Sequence, residues 1–254
     1  MFLSMMLLFF VLGAIFGSFY NVVGYRVPKG ESLLYPSSHC TKCNRKLGAL
    51  ELIPILSFLL LGGKCRKCKQ KIAWFYPFFE FISGVLFALS YCVFGFSIEC
   101  LLSIVFVSML LIIIISDYQT MIIPDSILIF FSIIIIIIKF FSVGIEGIGL
   151  SLLNGLFAFI FMLLIKLFGD FLFKKESMGG GDIKLLGVFG LFFGFPMAIV
   201  SVFIAALIGL PISLIILKRK STHEIPFGPF LAIAAILIVL FRIDIDLILN
   251  LLTI

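Results

Sequence analysis

Long apolar runs separated by short polar breaks make up most of the chain. They extend from about Phe2 to Gly24, Pro77 to Phe96, Leu101 to Ser116, Asp125 to Phe141, Ile148 to Leu167, Ile183 to Phe195, Met197 to Leu217 and Phe230 to Leu251. Crossing a hydrocarbon core of about 30 Å takes roughly 20 helical residues. The pattern therefore predicts an all-α membrane protein with about eight transmembrane helices. The Ile183 to Leu217 stretch admits two readings, a pair of short spans turning at Gly194-Phe195-Pro196 or one long bent element. One sizeable polar segment interrupts the pattern. The expected organisation is a first transmembrane helix (1–24), a polar loop (25–75) and a multi-span core (76–254).

Composition agrees with the pattern. The chain is 63% apolar and 13% charged, against about 25% charged for a soluble domain, so the bilayer has to act as solvent. An apolar opening can be a removable signal peptide. Here no Lys or Arg precedes Arg26, and the first run reads as a retained span with its N-terminus outside.

Charge then sets the orientation. Lys and Arg gather in cytoplasmic loops near span ends. The 25–75 loop holds Arg26, Lys29, Lys42, Arg45, Lys46, Lys64, Arg66, Lys67, Lys69 and Lys71. Lys166, Lys174, Lys175, Lys184, Lys218, Arg219 and Lys220 fall on the same side, and only Lys139 and Arg242 on the other. The net charge of +6 is thus a topology signal, and no nucleic-acid partner is expected from it.

The polar loop carries Cys40-Thr-Lys-Cys43 and Cys65-Arg-Lys-Cys68. A two-residue spacer lets both sulfurs of a pair bind one ion, and two pairs complete a tetrahedral four-thiolate zinc site. Lys42, Arg66 and Lys67 favour the thiolates. Disulfides are disfavoured in a reducing cytoplasm, whereas a structural metal can stabilise a loop too small for its own core. His39 is expected to be a bystander, and Cys92 and Cys100 small buried apolar side chains.

Acids near spans are functional candidates. Asp117 closes one run, Asp125 follows Pro124 at the start of the next, and Asp182 ends Met178-Gly-Gly-Gly-Asp182. No cationic partner is evident beside any of them. For Asp125, capping of the helix N-terminus is the preferred reading. For Asp182, a cap on a flexible loop competes with a catalytic role, in which the glycines would leave room for an extended peptide. The P-loop frame is absent. Two aspartates sharing one water would form an aspartic-protease dyad holding a single proton.

Taken in order, these motifs resemble the type IV prepilin peptidase family of Gly-x-Gly-Asp membrane aspartic peptidases. Gly179-Gly-Gly181-Asp182 followed by Lys184-Leu185 is similar to the family's second catalytic aspartate, and Asp117 with Ile123-Pro124-Asp125 to the first. Gly17-Ser-Phe-Tyr-Asn21-Val-Val, Tyr25-Arg26-Val-Pro28, Pro36-Ser, the cysteine pairs with Leu52-Ile-Pro54-Ile-Leu-Ser57 between them, Tyr76-Pro77-Phe-Phe-Glu80 and Ile225-Pro-Phe-Gly-Pro-Phe-Leu231 extend the resemblance over almost the whole chain.

The resemblance implies a bacterial inner-membrane, multi-pass endopeptidase with its active site facing the cytoplasm. It implies cleavage of the basic leader of type IV prepilins or pseudopilins just after a Gly, and N-methylation of the new terminus with S-adenosylmethionine. Asp117 and Asp182 are then the catalytic residues, with Gly179, Gly181, Lys184 and Asp125 binding substrate or supporting the site. Cys40, Cys43, Cys65 and Cys68 would hold structural zinc. Residues for the methyl donor stay unassigned; Glu80 is a candidate for methyl transfer, against the plainer reading of a solvated acid at a helix end. Asp125 and Glu176 are candidate contacts for basic leaders, which the bulk positive charge would repel. The rival readings are a proton-coupled transporter built on the same carboxylates and a zinc-loop scaffold for a secretion machine.

Overall fold

A computed structural model describes residues 2–176, 178–219 and 226–252. Among them the regular structure is helical, with only two isolated β-bridges. Apolar segments in lipid must satisfy their backbone polar groups internally, which selects helices. Among the described residues, five helices are long and apolar enough to cross a membrane: Phe2–Lys29, Phe75–Phe94, Ile98–Thr120, Asp125–Phe173 and Phe195–Ile215. The protein is an all-helical membrane protein. The chain divides into two compact units, Met1–Cys100 and Leu101–Ile254.

In the first unit, α1 (Phe2–Arg26) packs on α3 (Phe75–Phe94). Glycines set how closely they approach. A Cβ at Gly13 would lie 2.5 Å from the Ser83 carbonyl oxygen, and one at Gly17 2.9 Å from the Cα of Glu80. Small residues four apart permit this backbone contact in a bilayer, where close packing must replace hydrophobic drive. Between the helices lie the cysteine loop and a short α2 (Leu56–Leu60). Cys100 is buried, but Cys92 is exposed on α3, contrary to the expectation that both are buried: position 92 falls on the face of α3 turned away from α1.

The second unit begins within α4, which spans Ile98–Thr120. A 49-residue helical stretch, α5 (Asp125–Phe173), breaks at Gly144, where φ is 69°. Lys139 Nζ donates to Ser151 Oγ at 3.1 Å, although a straight helix would hold residues twelve apart about 18 Å from each other. The chain therefore reverses at Gly144, and each arm of α5 is of spanning length. Lys139 also donates to the Leu191 carbonyl at 2.7 Å, in the last turn of α6 (Gly180–Phe193). A cation is well placed at a helix C-terminus.

The Ile183 to Leu217 ambiguity resolves into two helices. Gly194, at φ 93°, separates α6 from α7 (Phe195–Arg219). The expected single span from Phe230 to Leu251 is instead two elements, α8 (Gly228–Leu240) and the shorter α9 (Ile245–Leu252). Arg242 adopts φ 49° between them, and the Asp244 carboxylate accepts from the Leu247 N–H at 2.8 Å, starting a new helix. Lys220 and Ile225, and the side chains of Lys218 and Arg219, lie outside the described residues.

Candidate active site and metal centre

The end of α4 carries Asp117. Pro124 lies ahead, and the helix stops at Thr120 as Met121 turns to φ 55° and bonds its N–H to the Asp117 carbonyl at 2.9 Å. Ser116 donates its hydroxyl to the Ile122 carbonyl at 2.6 Å, pinning the connecting segment back on the helix. That segment delivers Ile123 to the centre of the site. A Cβ at Gly181 would lie 2.8 Å from Ile123 Cβ, and one at Gly228 3.1 Å from Ile123 Cδ1. Three chain segments thus converge on one isoleucine.

They bring the two aspartates together. Asp117 and Asp182 are both buried, 5% and 8% exposed, and near enough for the charge of one to act on the other. Asp182 stands in the first turn of α6, where the partial positive charge of a helix N-terminus favours a carboxylate. Asp117 stands in the last turn of its helix and is compensated from elsewhere, because the Gly228 backbone N–H, opening α8, donates to it. A Cβ at Gly228 would sit 2.5 Å from Asp117 Oδ2. Only glycine allows this approach.

The glycine run before Asp182 needs no left-handed backbone. None of the three uses a positive φ: Gly179 is the N-cap at φ −66°, and Gly180 and Gly181 are already helical. Gly181 is small because Ile123 packs on it, while a Cβ at Gly180 would meet nothing within 4 Å. One side of the turn is packed and the other open.

Asp125 does not cap its helix through its side chain. Pro124 is the N-cap, and no side-chain cap bond forms. The Asp125 carboxylate instead receives Lys184 Nζ at 2.6 and 2.7 Å, so it does have a cationic partner. The pair is about half exposed, and it lines an open groove with apolar walls including Leu128, Ile129, Leu156, Phe159 and Val188. Lys184 therefore neutralises Asp125 and leaves the two buried aspartates without a cation from this source. Glu176 is exposed.

In the first unit, the Sγ atoms of Cys40, Cys43, Cys65 and Cys68 all lie within 4.8 Å of one another. Two similar turns present them. Asn44 N–H bonds to the Cys40 carbonyl (2.8 Å) and Lys69 N–H to the Cys65 carbonyl (3.0 Å). Asn44 and Lys69, each just after a pair, have φ 52° and 57°. The Cys40–Cys68 and Cys43–Cys65 sulfurs are 3.7 and 4.0 Å apart. A tetrahedral ion with Zn–S bonds of about 2.3 Å needs sulfurs ~3.8 Å apart, so the donor set fits such an ion. N–H groups of Cys68 and Lys67 pull the Cys65 thiol down to about 6. His39 is outside the cluster, its Nδ1 bonding the Ser37 carbonyl at 2.9 Å. The Gly48 N–H and then Arg45 hold the Glu51 carboxyl below its usual range, fixing the loop beside the sulfurs.

Comparison with known proteins matches both halves. Residues 11–94 fit the family model for the bacterial peptidase A24 N-terminal domain, and 104–214 that of the type IV leader peptidase family. The prepilin leader peptidase/N-methyltransferase of Bacillus subtilis (strain 168) is 35% identical over 240 residues, 93% of this chain and 94% of that protein. The chain belongs to the type IV leader peptidase family. A relative of the same name from Neisseria gonorrhoeae is 31% identical over 88% of this chain and 86% of its own, and one from Pseudomonas aeruginosa 30% identical over 91% and 89%. No solved structure matches. The leader peptidase match contains Asp117 and Asp182, while the N-terminal match contains the four cysteines. Gly228 lies beyond both matches. A functional reading of the sequence passed over its contact with Asp117, although Phe227-Gly-Pro229 was visible as a motif.

Proposed function

We propose that this chain is a bacterial inner-membrane prepilin peptidase whose Asp117 and Asp182 form the catalytic dyad, and that it N-methylates the terminus it exposes. The observation that carries this reading is the convergence of two buried carboxylates, 65 residues apart in sequence, around Ile123 beside an open glycine turn. Like charges so placed cannot both ionise at low cost, so the pair holds one proton near neutral pH. The ionised member takes a proton from the attacking water; the protonated member polarises the scissile carbonyl and later protonates the leaving amine. The Gly228 N–H keeps Asp117 in register, and the open side of Gly180 admits extended substrate backbone.

The Lys and Arg bias near the span ends supports a site at the cytoplasmic face. A prepilin presents there the junction between a polar leader and an apolar helix, where water is available and no deep helix need unwind. The Asp125–Lys184 pair and its apolar groove would receive that junction, and Glu176 the basic leader. The first span, the cysteine loop and the remaining core serve as anchor, metal module and peptidase. Zinc would be held by Cys40, Cys43, Cys65 and Cys68 as a structural ion stabilising the loop. S-adenosylmethionine, when bound, supplies an electrophilic methyl carbon to the new amine.

Leader removal from a co-expressed prepilin tests the dyad. Asp117→Asn and Asp182→Asn should each lower cleavage by about 10³-fold or more. Substantial cleavage by either variant would overturn the assignment and reopen a proton-transport or scaffold reading of the carboxylates.

A further inference from the structure

The relatives carry two activities in their name, and the leader peptidase match accounts for the buried aspartates of the second unit. The first unit has a buried acid of its own. Among its described residues, Glu31 and Glu99 are exposed and Glu51 is bound to Arg45. Glu80 alone is buried, on the face of α3 turned to α1.

Polar groups surround it. Ser18 bonds its carboxylate, and the Ile55 N–H donates to Oε2 at 2.8 Å. One turn earlier on α3, the Tyr76 carbonyl accepts from Asn21 Nδ2 at 3.3 Å. About one turn later stands Ser83, whose Cβ lies 2.8 Å from where a Cβ on Gly17 would be. Asn21 Oδ1 and Ser83 Oγ have no hydrogen-bond partner, although Asn21 is 4% and Ser83 0% exposed. Buried polar atoms left unpaired are costly and few in a native fold. Asn21 Oδ1 is an acceptor without a donor, and the Ser83 hydroxyl, one turn from the buried carboxylate on α3, is free to accept as well. The missing partner is therefore a donor of N–H groups, and a cationic one suits the carboxylate.

Ile55 points the same way. It holds φ 61°, ψ −53°, a region a β-branched residue avoids, in a tight turn closed by the Leu56 N–H on the Pro54 carbonyl, and its own N–H is the one that bonds Glu80. Such strain gathers at ligand clamps. It also ties Glu80 to the segment between the two cysteine pairs.

We propose that Glu80, with Asn21 and Ser83, is the site that receives the substrate's new α-amine for methyl transfer. This rests on the N-methylation reading given above. At neutral pH an α-amine, with a pKa of about 7.7–8.0, is mostly the unreactive ammonium. Glu80 takes one proton from it, while Asn21 Oδ1 and Ser83 Oγ accept the remaining N–H groups and aim the nitrogen lone pair. The N–C bond then forms as the donor's S–C bond breaks, its electron pair going to sulfur and the methylammonium keeping its proton. The proton on Glu80 leaves to solvent with the product.

The test uses the full-length, zinc-loaded protein in detergent. Four readouts are leader removal, methylation of a pre-cleaved pilin by intact mass, zinc content, and binding of a free-amine peptide against its N-acetyl twin without methyl donor. Glu80→Gln keeps an acceptor for the Ile55 N–H but loses the charge. It should lower methylation about 10²-fold and abolish the preference for the free amine, with cleavage and zinc retained. Ser83→Ala removes an unpartnered hydroxyl, so folding loses no bond, yet methylation should fall about tenfold. Methylation within about threefold of wild type in either variant overturns the proposal, as does parallel loss of cleavage and zinc in Glu80→Gln, which would make Glu80 a latch for the loop. If Glu80→Gln does not fold, Ser83→Ala decides alone. A wild-type chain that cleaves but never methylates refutes the second activity itself, and this assignment with it.

Discussion

Adding one methyl group at Gly228 should disable cleavage without unfolding the protein. An alanine Cβ there would lie 2.5 Å from Asp117 Oδ2, where ordinary contact begins at 3.4 Å. The carboxylate must retreat by about 1 Å, and in doing so it lengthens the bond from the Gly228 N–H. A misplacement of about 1 Å at a reacting group costs about 10²-fold in rate, equivalent to ~2.7 kcal/mol of barrier. Folding should change little, because Gly228 begins a helix without a positive φ and the atom met is the end of a side chain, which can shift, and not backbone. The assay is steady-state leader cleavage on a purified prepilin, comparing kcat and KM. The loss should fall on kcat. Since the new Cβ would also approach Ile123 Cδ1 at 3.1 Å, the double variant Gly228→Ala, Ile123→Val removes that second contact and should restore nothing. A kcat within threefold of wild type for Gly228→Ala, or recovery in the double variant, would refute the claim that this glycine exists to admit the Asp117 carboxylate.

Gly190→Ala should destabilise the second unit by about 1–3 kcal/mol, read as unfolding in detergent, because its Cβ would lie 2.5 Å from the Asn154 carbonyl oxygen. Gly149→Ala, with nothing within 4 Å, should be neutral or slightly stabilising. Asp125→Asn breaks a half-exposed pair and should change stability by no more than about 1 kcal/mol; a larger drop on thermal melting would mean that the pair anchors α6. Cys40→Ser should abolish zinc retention, measured as metal content after dialysis. The Cys65 thiol is lowered to about 6 by N–H donors from Cys68 and Lys67, so its thiolate contributes to the loop at neutral pH. Protons compete with the metal for the four thiolates, so zinc retention should fall as the pH is lowered.

The sequence exposed what depends on local runs and spacing. Apolar stretches marked the helices, the gap between the runs ending at Phe141 and starting at Ile148 marked where the chain reverses at Gly144, and two Cys-x-x-Cys pairs announced a four-sulfur cluster. The Asp117 and Asp182 motifs were legible for the same reason. What stayed hidden depends on contacts between distant segments. The Asp125–Lys184 bond joins residues 59 apart, and no spacing rule foretells it, so Asp125 read as a helix cap. Gly181 read as room for substrate because a glycine's neighbours are set by tertiary packing, here by Ile123. The last apolar run looked continuous because the turn at Arg242 relies on a left-handed backbone and the Asp244 cap, neither of which lowers hydropathy enough to show. Glu80, near the start of an apolar run, was a candidate for methyl transfer with a solvated acid as the plainer reading, and helix packing buries it.

A double-mutant cycle on the two aspartates tests the central claim most directly. Cleavage rates are measured for Asp117→Asn, Asp182→Asn and the variant carrying both. Residues that share one proton and one water act as a unit, so the double variant should be no slower than the slower single variant. If the two losses instead multiply, or either single variant keeps near-native cleavage, Asp117 and Asp182 do not form a dyad.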